Sequence, residues 1–137
     1  MARFCTLFSG SEGNCTYVSC GDTSVLIDVG RSAKQVLEAM EARGIDPKGL
    51  SALLVTHEHG DHIKGIRAFL KKVPLPVYAT PEVLEKLLWD QILTESSPRT
   101  AIEEGTPFQV GSIGIHCFDI PHDSIHPVGY QFVLPDG

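Results

Sequence analysis

Hydrophobic positions along the chain follow two patterns. Some are short runs with little alternation, and others recur every three or four residues. Residues 3–8, 15–20 and 24–29 are of the first kind. They are separated by the Gly/Ser turn "SGSEGN" (residues 9–14) and by "GDT", and they predict three strands. Val25, Leu26 and Ile27 are apolar in succession, the pattern of a strand covered on both faces. The period then changes. Ala33, Val36, Leu37 and Met40 form one helical stripe, with Ser32 as the N-cap and Gly44 as the stop. "GIDPKGL" is a connection, and residues 52–56 predict another buried strand.

A second helix is predicted directly after it, because Ile63, Ile66, Phe69, Leu70 and Val73 share a face. Lys64, Arg67, Lys71 and Lys72 fall mostly outside that face. "PVYA" is a short strand. Thr80 then caps a helix that has Pro81 at its first position and Val83, Leu84, Leu87 and Leu88 as its stripe. Beyond the polar stretch "TESSPRT", residues 108–110, 113–119 and 128–134 are β-like. Strands alternating with helices predict an α/β domain, a mixed sheet with covering helices. "FVLPDG" runs a strand into a turn signal that calls for a following strand. Residues 1–137 are therefore expected to be a single, incomplete domain. Its last strand would be an exposed edge and its inner sheet face would lack a partner, which favours a homo-oligomer.

The composition is that of an ordinary globular domain: 42% hydrophobic, 20% charged. No apolar run is long enough to span a bilayer, so no membrane partner is expected. "MARFCTLFSG" reads as a strand and is too short in apolar residues for a signal peptide, so a cytoplasmic location is expected. Cys5, Cys15, Cys20 and Cys117 form no C-x-x-C pair and read as buried thiols in a reducing compartment. The net charge of −6 disfavours a general electrostatic grip on nucleic acid, but a local basic groove or a metal can still hold a phosphate.

Candidate chemistry concentrates in "LLVTHEHGDH" (residues 53–62), where a buried strand ends in His57, Glu58, His59, Asp61 and His62. The spacing does not fit the helical H-E-x-x-H zinc motif, because Asp61 stands where the second histidine is needed. Histidines two apart share a face only on an extended segment, so His57 and His59 can hold one metal from a strand end, with Asp61 on the same period. His62, at the start of the helix, can turn to a neighbouring position. A lone histidine is usually a packed or solvated residue. So many ligands at the C-terminal end of a buried strand are harder to explain by packing, and they indicate a metal site.

"THEHGDH" after "LLVT" resembles the H-x-H-x-D-H signature of the metallo-β-lactamase superfamily. "SGSEGNCTYV", "THEHGDHIKGI" and "HD…PVGYQF" resemble its WalJ-like (YycJ-like) branch. The resemblance runs along nearly the whole chain. It implies the αβ/βα sandwich fold, of which this chain would be the N-terminal half, and a site for two divalent ions (zinc, manganese or iron). The first ion would take His57, His59 and His122 in "IPHD". The second would take Asp61 and His62, and Asp61 and His122 become the candidate catalytic residues. Asp28 in "LIDVG" matches a residue that organises the site without being a ligand. Glu58 falls at a variable position of the motif, and His126 matches no family ligand. Asp123 either contacts a ligand or starts a turn. His116 alternates with Ile115 and Cys117 and is expected on the opposite strand face. A bridging aspartate and a last histidine have no match in the chain, and Asp136 sits within a turn. One metal is thus expected here rather than two, with little turnover by the chain alone.

By resemblance the reaction is hydrolysis by metal-activated water. The Asp61–His62 pair and the WalJ-like motifs point to a phosphodiesterase of exonuclease type acting on DNA or RNA. A thioester hydrolase of the glyoxalase II type and a non-catalytic metal-binding chain stay open. Lys64, Arg67, Lys71 and Lys72 are candidate phosphate contacts, although a solvated helix face explains them more simply. "SGSEGN" could place backbone N–H groups near the metals.

Overall fold

The computed structural model describes residues 2–10, 13–57, 60–119 and 128–133. Strands β1 (Ala2–Phe8), β2 (Cys15–Cys20) and β3 (Thr23–Ile27) form an antiparallel meander. Strand β4 (Ala52–Leu54) joins β3 in parallel, followed by β5 (Val77–Ala79) and β6 (Arg99–Ala101), so the sheet order is β1-β2-β3-β4-β5-β6. A second, antiparallel sheet has the order β7-β8-β9, from β7 (Phe108–Val110), β8 (Ile113–Asp119) and β9 (Val128–Val133). Helices α1 (Ala33–Ala42), α2 (Gly60–Ile63), α3 (Ile66–Lys72) and α4 (Pro81–Trp89) lie in the connections between the parallel strands.

Adjacent residues of the central strands face different layers. Leu26, Leu53 and Val77 pack with Val36, Met40, Phe69 and Leu87 of the helices. Val25, Ala52 and Leu54 pack with Ile113 and Ile115 of the second sheet. This two-sided burial explains the unbroken apolar runs of β3 and β4. It also corrects one expectation: the sheet face turned from the helices has a partner, the second sheet. Among the described residues β9 is an edge strand, with Val133 61% exposed.

Local signals set α1. Ser32 Oγ accepts from Gln35 N–H (3.2 Å), and Gln35 Oε1 accepts from Ser32 N–H (3.3 Å). Gly44 follows at φ 69°. The helix expected from Ile63 is instead broken between α2 and α3. The Gly65 N–H donates to the Val29 carbonyl (2.8 Å), and a Cβ at Gly65 would strike the Arg31 carbonyl oxygen. Strand β6 lies in what reads as a polar stretch, because it is an edge strand whose residues are largely exposed. Thr80 stands at the N-cap of α4 as expected, but its hydroxyl makes no capping bond.

Candidate metal centre

The parallel pairing of β3 and β4 brings two strand ends together. Asp28 follows β3, and its N–H donates to the Leu54 carbonyl (2.8 Å). At φ 64° its backbone turns left-handed out of the sheet, a conformation Asp tolerates better than most residues. Three neighbouring segments are tied to this turn. Val29 N–H donates to the His62 carbonyl (2.9 Å), Gly65 N–H to Val29 and Gly30 N–H to the Asn14 carbonyl (2.9 Å). Gly13 and Asn14, the last residues of "SGSEGN", thus dock on Gly30. A Cβ at Gly13 would lie 2.5 Å from the Gly30 carbonyl oxygen, so this approach requires glycine.

The buried Asp28 carboxylate gathers the ends of β4 and α2. Its Oδ1 accepts from Thr56 N–H (2.8 Å), and its Oδ2 accepts from Thr56 Oγ1 (2.6 Å) and lies 2.6 Å from His62 Nδ1. Thr56 Oγ1 is also 2.8 Å from His57 Nδ1. The proton count then fixes the tautomers. The Thr56 hydroxyl spends its one proton on the carboxylate, so His57 Nδ1–H must donate to Thr56 Oγ1. The carboxylate can only accept, so His62 Nδ1–H donates to Asp28. A neutral imidazole protonated at Nδ1 carries its lone pair at Nε2, the atom from which such a ring binds a metal. Their centroids are 4.3 Å apart, tilted by 35°. His57 is buried (9% exposed), and the His62 side chain is 17% exposed. Imidazoles held by an N–H donated to a carboxylate or hydroxyl are the donors that zinc-like ions take, so the pair fits a divalent metal.

The second sheet supports the same strand end. Tyr130 Oη donates to the Val55 carbonyl (2.7 Å), two residues before His57. Burial foremost, then the Asp28 charge and any thiolate formed at Cys117, pushes the Tyr130 phenol well above its usual range. Cys15 is fully buried. Burial and, second, the Asp28 charge push its thiol far above the ordinary value.

Of the residues expected from sequence, His57, His62 and Asp28 come together here. His59 and His122, with Glu58, Asp123, His126 and Asp136, lie outside the described residues. The Asp61 backbone is in α2, and its side chain lies outside the described part. No group of three side chains placed to hold a metal occurs among the described residues. His116 alternates along β8 with the buried Ile115 and Cys117, and it lines a cavity of about 380 Å³ together with Phe108, Ile115 and Val133. Thr56 and Tyr130 carry roles that sequence reasoning did not assign. Only the place of Thr56, a hydroxyl between the buried strand and the first histidine, signalled it.

A three-layer α/β sandwich with paired imidazoles at a strand end defines a class of metal-site domain. The chain belongs to the metallo-β-lactamase superfamily, whose family model matches residues 9–129. It is 31% identical over 136 residues to exodeoxyribonuclease WalJ of Streptococcus pneumoniae, covering 98% of this chain and 51% of that protein. It is 35% identical over 133 residues to exodeoxyribonuclease YycJ of Bacillus anthracis, covering 95% and 49%. The chain thus spans about half the length of these relatives. The fold is shared with the metallo-β-lactamase fold protein YhfI from Bacillus subtilis (TM-score 0.75, 20% identity, 97% of this chain and 58% of that one). It is also shared with a B3 metallo-β-lactamase that has an active-site glutamic acid (TM-score 0.77, 21% identity, 94% and 53%).

Proposed function

We propose that the chain carries the metal-binding part of a metal-dependent hydrolase, a phosphodiesterase of exonuclease type acting on a nucleic acid. The observation that carries the metal reading is the shared Asp28–Thr56 network, toward which His57 and His62 both turn Nδ1, the arrangement by which an outer partner orients a metal-binding imidazole. The names of the WalJ and YycJ relatives support DNA as the substrate. In this reading His57, with His59 and His122, holds one divalent ion, and His62 with Asp61 faces a second position. Such an ion supplies Lewis acidity and a water of lowered pKa. Asp28 and Thr56 orient the imidazoles and raise their basicity. Tyr130 fixes the strand end on which His57 is mounted. Cys5, Cys15, Cys20 and Cys117 as thiols fit a reducing, cytoplasmic setting. The β9 edge would serve as the contact between copies in a homo-oligomer.

The test compares DNA labelled at either end with a glutathione thioester, using the purified chain loaded with zinc or manganese. Even slow shortening of DNA that EDTA abolishes is the expected result. Thioester hydrolysis with DNA left intact overturns the substrate class. Metal uptake with neither reaction would make the chain a non-catalytic metal-binding domain, and failure to take up any divalent ion overturns the metal reading.

A further inference from the structure

The segment from His62 to Thr80 holds Lys64, Arg67, Lys71 and Lys72 and not one Asp or Glu, in a chain of net charge −6. All four cations are exposed. Among the described residues none of them makes an ion pair or a side-chain hydrogen bond. Beside the Thr94–Ser97 segment, Glu95 pairs with Arg99 (3.3 Å) and Asp90 with Lys86 (3.3 Å). Among the described residues Arg67, Lys71 and Lys72 thus form an unpaired row of positive charge along α3, with Lys64 just before it.

This surface is also shaped. Arg67 and Lys71, one helical turn apart, line a cavity of about 280 Å³ with Gln91, Thr94 and Ser97. The far wall is fixed from behind. Arg99 Nη1 donates to the carbonyls of Thr94 (3.3 Å), Glu95 (3.2 Å) and Ser97 (3.1 Å), while Thr94 N–H donates to Ser97 Oγ (2.9 Å). Two cations facing hydroxyls and an amide is the donor set that contacts phosphate oxygens. The row begins two residues after His62. Because α3 connects the C-terminal end of β4 to the start of β5, the row leads away from the metal end of the sheet. From Arg67 to Lys71 it extends about 6 Å at helical rise.

We infer that Lys64, Arg67 and Lys71, with the Thr94–Ser97 wall, form a second contact for the phosphodiester backbone of a nucleic-acid strand whose end lies at the metal centre. This rests on the proposed nuclease function and adds a sequence-independent binding track to it. The experiment measures binding of a fluorescent single-stranded DNA oligonucleotide to the metal-loaded chain across a salt series. It compares R67Q/K71Q with K34Q/K48Q, which removes the same charge at exposed lysines elsewhere.

Loss of about two phosphate contacts should lower the slope of log affinity against log salt by about 1.4. Affinity should fall about tenfold in R67Q/K71Q, and K34Q/K48Q should bind like the parent. Equal losses in both variants would overturn the local track in favour of net charge. Unchanged binding in R67Q/K71Q, with the parent still binding and shortening DNA, overturns the track and leaves the function standing. A parent that neither binds nor shortens DNA overturns both. Inorganic phosphate that displaces the oligonucleotide at matched ionic strength, from the parent but not from R67Q/K71Q, would reassign the cavity to a free anion and overturn the strand contact.

Discussion

Asp28 Oδ2 lies 2.6 Å from His62 Nδ1, although 34 positions separate the two residues in sequence. The contact exists because β3 and β4 run parallel in register, Ile27 beside Leu54, and both chains leave the sheet at the same end. One carboxylate thereby sets the orientation of an imidazole on α2 and, through Thr56, of another at the end of β4.

Asp28→Asn tests the charge apart from the backbone. Asn accepts a positive φ as readily as Asp, so the turn at 64° should survive. The amide cannot accept every donor now aimed at the carboxylate, and the imidazoles lose basicity. Zinc affinity measured by calorimetry should fall by roughly 10–100-fold, the usual cost of losing such a partner. Unchanged affinity with intact folding would show that Asp28 does not act through the histidines.

Thr56→Val removes the hydroxyl at nearly constant volume. His57 Nδ1–H then loses its acceptor and Asp28 Oδ2 loses a donor, a cost of about 1–3 kcal/mol for buried partners left unmade. Metal affinity should drop and the melting temperature should fall, while Thr56→Ser should restore most of both. Failure of Ser to rescue would mean that the methyl group's packing matters more than the hydroxyl.

Much of this scaffold is legible in sequence, for particular reasons. Leu53–Leu54 reads as a two-faced strand because each neighbour enters a different layer, and α1 reads clearly because Ser32, Gln35 and Gly44 are local signals. Arg99–Ala101 does not read as a strand, because edge residues outside the core leave no apolar pattern. The histidine crowding at the end of β4 is also legible, as the mark of the proposed metal site. The function of Thr56, however, depends on the β3–β4 register, and that of Tyr130 on a second sheet arriving from 75 positions away. The break at Gly65 is likewise tertiary, since the neighbour that requires it is Arg31.

Gly65→Ala should be among the most damaging small substitutions. Its Cβ would meet the Arg31 carbonyl and come within 2.7 Å of Val29 Cγ1, in a backbone that cannot yield without moving the Asp28 turn. A loss of about 2–4 kcal/mol is expected by chemical denaturation, with weakened metal binding in the fraction that folds. A variant within 0.5 kcal/mol of the parent, the ordinary range for surface changes, would show that the α2–α3 junction is free to shift.

Cys15 gives the pH prediction. Burial and the Asp28 charge keep its thiol protonated in the folded chain, whereas the unfolded thiol titrates near pH 8.5. Below about pH 8.5 both states hold the proton and stability is unaffected. Above it only the unfolded state releases the proton, so stability falls as pH rises, by about 1 kcal/mol between pH 8 and 9.5. Tyr130 adds the same sign of loss above about pH 10, where an unfolded tyrosine ionises first. Urea midpoints at pH 7.5, 8.5 and 9.5 should therefore decline in the parent and decline less in Cys15→Ala. At pH 8 a thiol reagent should modify the half-buried Cys5 well before Cys15. Rapid native-state labelling of Cys15, or an alkaline slope unchanged by Cys15→Ala, would mean that this thiol is not shielded beside Asp28.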